Sequence, residues 1–223
     1  MQPDKPMNQA MIFSGRKICF IGAHPDDIEL GSGALISHIS NQTEIISVTL
    51  SDNQKNPSLT NVVHEHRKSM AHLGVKPENV IVSSFETRRF PYSRQEILEY
   101  LIELNHQHKP DIVFTHTKAD IHQDHATVTD ECLRAFRGTT VLGFDVLRSS
   151  YGFFPNFLVE VDEKDVNNKI AALSEYKTYT GKYYFDPEIT RSTLIRHGAL
   201  AERKYAEGFD ILRIIGSFGC VSI

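Results

Sequence analysis

The residues best equipped for chemistry fall in two short stretches. Ala23-His24-Pro25-Asp26-Asp27-Ile28-Glu29 packs one imidazole and three carboxylates together, and Asp120-Ile121-His122-Gln123-Asp124-His125 adds two of each about a hundred residues later. Imidazole and carboxylate together are the donors of a borderline divalent metal. Taking His24, Asp27 and His125 as ligands gives two imidazoles and one carboxylate around an open fourth position, an arrangement common in catalytic zinc sites. Zinc so held lowers the pKa of bound water to about 7 and polarises a carbonyl. The same donors would also accept iron, cobalt or nickel. Asp26 adjoins Asp27 but, on an extended backbone, points elsewhere, which suits a general base. His122 lies three residues before His125 and shares its face if a helix begins there. Protonated, it would stabilise an oxyanion or donate to a leaving amine. Asp124 or Asp120 would orient these imidazoles as outer acceptors.

Elements on both sides must bring the two stretches together. Lys17-Ile18-Cys19-Phe20-Ile21-Gly22 reads as a short buried strand leading into the first stretch, and Leu30-Gly31-Ser32-Gly33-Ala34-Leu35-Ile36 opens a helix that runs to about Ile39. Further strands are expected at 43–50, 80–82 and 111–115, with helices at 62–73 and 94–108 between them. Alternation of this kind is the pattern of a parallel, doubly wound sheet. The second stretch follows the fourth strand, so both stretches belong on the carboxyl edge, where such sheets bind ligands. Beyond Cys132 the pattern changes. Val146-Leu147, 151–154 and 157–161 are short strands or loops covering the site, and 164–176 and about 191–207 read as helices.

Ala-His-Pro-Asp-Asp followed by Asp-x-His-x-Asp-His resembles the PIG-L/LmbE family of zinc-dependent de-N-acetylases, which act on N-acetylglucosamine units in glycolipids, thiol precursors, antibiotics and chitooligosaccharides. The resemblance extends to Ser69-Met70 with Leu73-Gly74-Val75, Arg89-Phe90 with Arg94-Gln95, and Ala206-Glu207-Gly208-Phe209, covering the chain from about residue 16 onward. It implies zinc ligands at His24, Asp27 and His125, the catalytic base at Asp26, and oxyanion or acid duty at His122. It also implies a Rossmann-like, mostly parallel α/β sheet flanked by helices, and an amino-sugar substrate, free or nucleotide- or lipid-linked. Two departures stand out. Ile28 occupies the place where the family's commonest form has Glu, leaving Glu29 without an assigned role, and no substrate-binding Arg can be transferred to the helix around His64, Glu65 and Arg67.

The remaining candidates are weaker. Arg88, Arg89 and Arg94 form a basic loop that would grip a phosphate on a sugar carrier or simply face solvent. His116 ends the fourth strand, either lining the site or satisfied by hydrogen bonds there. His64, His66 and His72 are expected to share a solvent face, and Tyr176, Tyr179, Tyr183 and Tyr184 to pack rather than stack on a sugar. Gly31-Ser32-Gly33 lacks the third glycine of a dinucleotide fingerprint and follows an acidic loop that repels pyrophosphate, which argues against a nicotinamide enzyme.

At 223 residues, 40% apolar and 23% charged, the chain fits one domain at 16–223 behind a flexible N-terminal arm, 1–15. A net charge of −4 argues against nucleic acid and anionic membrane as partners. Three scattered cysteines and no signal-peptide pattern point to a reducing, cytoplasmic setting. The sequence is compatible with a homo-oligomer. Two rivals share the motifs: a metal-dependent amidase acting on a thiol conjugate or other non-sugar amide, and a sugar-binding protein without turnover.

Overall fold

Alternation along the strands explains the layers. In β1 (Lys17–Gly22) Ile18 and Phe20 face one side and Cys19 and Ile21 the other, and all four are buried. A strand apolar on both faces belongs inside a sheet covered on both sides. The structure, a computed structural model, describes residues 10–53 and 57–216. Its sheet has seven strands, with β2 (Glu44–Thr49), β3 (Val80–Val82), β4 (Ile112–His116), β5 (Thr140–Phe144), β6 (Phe157–Glu160) and β7 (Ala206–Arg213) joining β1 in the order β3-β2-β1-β4-β5-β7-β6. The first five are parallel, and β7 runs antiparallel between β5 and β6.

One face is covered by α2 (Asp27–Ile39), α3 (Val62–His72) and α6 (Glu163–Leu173), whose Ile28, Leu35, Met70 and Ala172 join Phe20 and Phe114 in one core. On the other, α4 (Arg94–His108) and α5 (Gln123–Ala135) bring Ile97, Leu101, Val128 and Cys132 against Ile21 and Val113. The close seating of α2 explains Gly31. A Cβ there would lie 2.2 Å from Phe144, so the glycine permits helix–sheet contact.

The first half matches expectation almost to the residue, except that α2 begins at Asp27 rather than Leu30. The last third differs. Residues 140–144 form a strand absent from the sequence reading, and the helix expected at about 191–207 is α7 (Pro187–Leu200) followed by β7. β7 hides from pattern analysis because it buries Glu207, which pairs with Lys169 at 2.6 Å. The expected arm lies largely outside the described residues, as does Cys220. Its last part, Ala10–Phe13, is a helical turn (α1) that sets Phe13 against Phe114 and Phe157. No helix among the described residues is long and apolar enough to cross a membrane.

Candidate active site

The strand order reverses direction between β1 and β4, and the loops leaving these neighbouring strands diverge there. This is the crevice where open α/β sheets bind ligands. Both sequence stretches lie in it. His24 and Asp26 occupy the loop after β1, Asp27 opens α2, and His122 caps α5, with Asp124 and His125 in its first turn.

The acids at positions 26 and 27 diverge for a reason other than the expected extended backbone. Asp26 has φ 110°, a left-handed conformation costly for a side chain with a Cβ, while Asp27 is already helical. Their surroundings differ accordingly. Burial and the neighbouring Asp27 charge raise the Asp26 carboxyl well above the usual range. Asp27 is buried too, but the imidazoles of His125, His116 and His24 keep it ionised far below that range. Two adjacent carboxyls pushed apart in this way are suited to different tasks.

His24 Nε2 donates to Asp124 Oδ2 at 2.9 Å, and His125 Nδ1 donates to Asp120 Oδ2 at 2.8 Å. Each outer carboxylate thereby fixes a tautomer. The remaining lone pairs, on His24 Nδ1 and His125 Nε2, face each other at 3.3 Å, and Asp27 Oδ2 lies 3.5 Å from the first and 3.4 Å from the second. Three converging acceptors repel one another unless a cation sits among them. A tetrahedral ion with bonds of about 2.0–2.1 Å holds its ligand atoms about 3.3–3.4 Å apart, so these donors fit zinc. Without metal, a proton does the same work. Burial opposes charge on His24, but its bonds to Asp124 and Asp27 push it up to about 10.

Two further imidazoles complete the cluster. His122 Nδ1 accepts from the backbone N–H of Asp124 at 3.2 Å, taking the place of the usual Ser or Asp cap. Burial and the nearby His125 and His24 lower it to about 4. In the metal-free protein these surroundings favour the neutral ring, with Nδ1 accepting and the proton on Nε2. His116 was left undecided by sequence. It is fully buried, accepts from Ala23 N at 3.1 Å, lies 3.4 Å from Asp27 Oδ2 and stacks on His125 at 3.9 Å. Its position at the end of β4 was the available signal.

Other expectations are redistributed. Arg94 pairs with the buried Glu131 at 2.6 Å and Arg89 lies over the Tyr92 ring at 4.5 Å, so neither joins the cluster. Arg88 contributes its main chain, its N–H donating to Asp124 Oδ2 at 2.6 Å from a φ of 66°. His66 is not on a solvent face. It is fully buried, its Nδ1 2.9 Å from Glu29 Oε1, to which Tyr176 Oη also donates at 2.6 Å. This network gives Glu29 its role: it ties α2 to α3 and to the segment after α6. That segment lies over Asp26, whose charge acts on Tyr176, Tyr179, Lys182 and Tyr184.

Comparison with known proteins gives the family and the fold. A YaiS protein of Escherichia coli K12, described as an uncharacterized deacetylase, is 29% identical over 186 residues, 78% of this chain and all of that one. Among solved structures, N,N'-diacetylchitobiose deacetylase from Pyrococcus horikoshii superposes with a TM-score of 0.74 at 20% identity, covering 88% of this chain and 84% of that one. GalB, the 4-carboxy-2-hydroxymuconate hydratase of Pseudomonas putida KT2440, superposes with a TM-score of 0.68 at 17% identity, covering 92% of this chain and 100% of that one. These two structures establish the shared fold, which evidently hosts more than one chemistry. The family model described as PIG-L, GlcNAc-PI de-N-acetylase, matches residues 19–136, from β1 through α5 and both acidic stretches, and the chain belongs to that family.

Proposed function

We propose that the protein is a metal-dependent hydrolase that removes the acetyl group from an N-acetylated amino sugar or its conjugate. The observation that carries this reading is the convergence of His24 Nδ1, Asp27 Oδ2 and His125 Nε2 within 3.5 Å of one another, beside a second carboxyl whose proton affinity is raised. These three residues would hold the metal, zinc by its donor set, which supplies water activation and carbonyl polarisation. Asp120 and Asp124 hold the two imidazoles in the required tautomers.

Asp26 takes a proton from the attacking water, for which its raised proton affinity suits it. The neutral Nε2–H of His122 donates a hydrogen bond to the oxygen that gains charge as water adds to the acetamide carbon. The proton on Asp26 then passes to the nitrogen as the C–N bond breaks, releasing acetate and free amine. A binding protein has no use for this pairing of base and donor.

Acetate release from free, nucleotide-linked, glycosidic and thiol-precursor N-acetyl amino sugars, with and without chelator, tests the reaction. Asp26→Asn should lower kcat by roughly 10²–10⁴-fold while bound metal stays at the wild-type level. Undiminished turnover in that variant would remove Asp26 from the mechanism. Release from no sugar form by metal-loaded protein would shift the assignment to a non-sugar amide or to binding alone.

A further inference from the structure

Two cations, Arg148 and Lys182, gather around the Tyr184 ring with no carboxylate of the described residues in ion-pairing contact. Lys182 Nζ lies 3.7 Å from the centroid of the Tyr179 ring and 5.7 Å from that of Tyr184. The Arg148 guanidinium lies 5.5 Å from the same Tyr184 ring and hydrogen-bonds its hydroxyl. Arg148 repels the positive charge on Lys182. Elsewhere in the molecule Arg94, Lys169, Arg191 and Arg203 each have a carboxylate partner. Among the described residues neither Arg148 nor Lys182 has one within ion-pairing distance.

The rings that gather these cations are themselves anchored. Tyr179 is buried and hydrogen-bonded to Asn53, in the loop after β2, while the neighbouring Tyr176 is held by Glu29. Two cations gathered around the Tyr184 ring would be stabilised by an anion between them, and an arginine near a lysine is a common oxyanion-binding pair. The location gives that anion a purpose. The charge on Lys182 acts on Asp26, and the carboxylates of the reacting centre would by themselves repel a negative substrate. A cationic rim over an acidic floor orients a molecule that is neutral at one end and anionic at the other.

We infer that Arg148 and Lys182 form an oxyanion subsite, and that the substrate is an N-acetylated amino sugar bearing a phosphate or carboxylate close to the acetamide-carrying ring. This deepens the deacetylase reading and rests on it. The neutral acetamide is directed inward to Asp26 and His122, and the anion stays at the rim.

The test uses the metal-loaded full chain and compares N-acetylglucosamine with its 1-phosphate and 6-phosphate, its uridine diphosphate conjugate and N-acetylmuramic acid, which carries a carboxylate. At least one anionic form should exceed the neutral sugar in kcat/KM by roughly tenfold, and which one identifies the source of the anion. Lys182→Met and Arg148→Met should each shrink that ratio, and the double variant should bring it to about one. Comparing substrates within one variant cancels any loss of folded protein. Lys177→Met removes the same charge from the same segment, where among the described residues the Lys177 ammonium bonds only the Ser174 carbonyl, and should keep the ratio. Equal turnover of neutral and anionic sugars by the wild type, a ratio untouched in the double variant, or an equal loss in Lys177→Met would overturn the subsite. If no sugar is turned over, the deacetylase reading fails by itself. Calorimetric binding of N-acetylglucosamine 1-phosphate then decides the subsite: loss in the double variant supports it, and absent or unchanged binding refutes it.

Discussion

Asp124→Asn probes the arrangement where geometry and chemistry meet. In the wild type Oδ2 accepts from His24 Nε2 at 2.9 Å and from Arg88 N at 2.6 Å, and Oδ1 accepts from Phe90 N at 3.3 Å. The side chain is fully buried, and these bonds hold its carboxyl below the ordinary range in spite of burial. An amide has one acceptor. With its oxygen in the place of Oδ2, the two short bonds survive without charge assistance, at a cost on the order of 1 kcal/mol each, and the amide NH₂ meets the Phe90 N–H, leaving a buried donor unpaired for about 1–3 kcal/mol. The reverse orientation confronts two donors and is worse. The metal-free protein should therefore lose about 3–5 kcal/mol in urea unfolding. Removing the outer carboxylate from a ligating imidazole weakens metal binding by roughly 10–100-fold, or about 1.4–2.7 kcal/mol. Titration of zinc against a competing chelator reads this directly. Asp124 also strengthens proton binding at His24, so part of the loss is offset near neutrality by weaker proton competition, and affinities at about pH 7 and pH 9 separate the two effects. A folded variant whose affinity stays within about threefold of wild type at both values would refute the view that Asp124 positions His24 for a metal.

Three other perturbations follow from the same structure. Because His24 is pushed up to about 10, a metal must displace its proton, so the logarithm of the zinc association constant should rise by about one per pH unit from roughly pH 6 to 9; a flat profile would show that His24 is not a ligand. Burial raises Asp145 to about 6, with Lys169 partly opposing, so its protonated form is favoured in the fold. That contribution is present below the unfolded value and is lost as pH rises from about 4 to 6, so Asp145→Asn should gain up to about 3 kcal/mol over wild type at pH 7.5 and little at pH 4 in urea unfolding. Tyr176→Phe removes the 2.6 Å bond to Glu29, whose other oxygen already has no partner, and should cost about 1–3 kcal/mol by thermal unfolding; an unchanged melting temperature would show that the buried network does not hold the segment over Asp26.

The clusters carrying the proposed chemistry were legible because their donors are close in sequence and follow strands, and a strand's end in a parallel sheet is a fixed address. His24, Asp27, His125 and the orienting Asp120 and Asp124 needed no more than that to be named. The elements through α4 were legible for a similar reason, since buried parallel strands are continuous apolar runs and the helices between them are periodic. β5 and β7 were not. β7 carries Glu207 and Asp210 within an antiparallel pairing whose partners lie about 50 and 65 residues earlier, and the buried Glu207 is tolerable because Lys169 arrives from α6 and the Ala34 and Leu35 N–H groups of α2 donate to it. His66 likewise reads as a surface histidine until α3 is laid against α2 and its ring meets Glu29 and Tyr176. Local pattern thus determined which groups would stand at the carboxyl edge. Only tertiary packing decided their protonation and tautomers, the divergence of Asp26 from Asp27, and the meeting of Arg148 and Lys182, because each depends on desolvation and on charges supplied by distant parts of the chain.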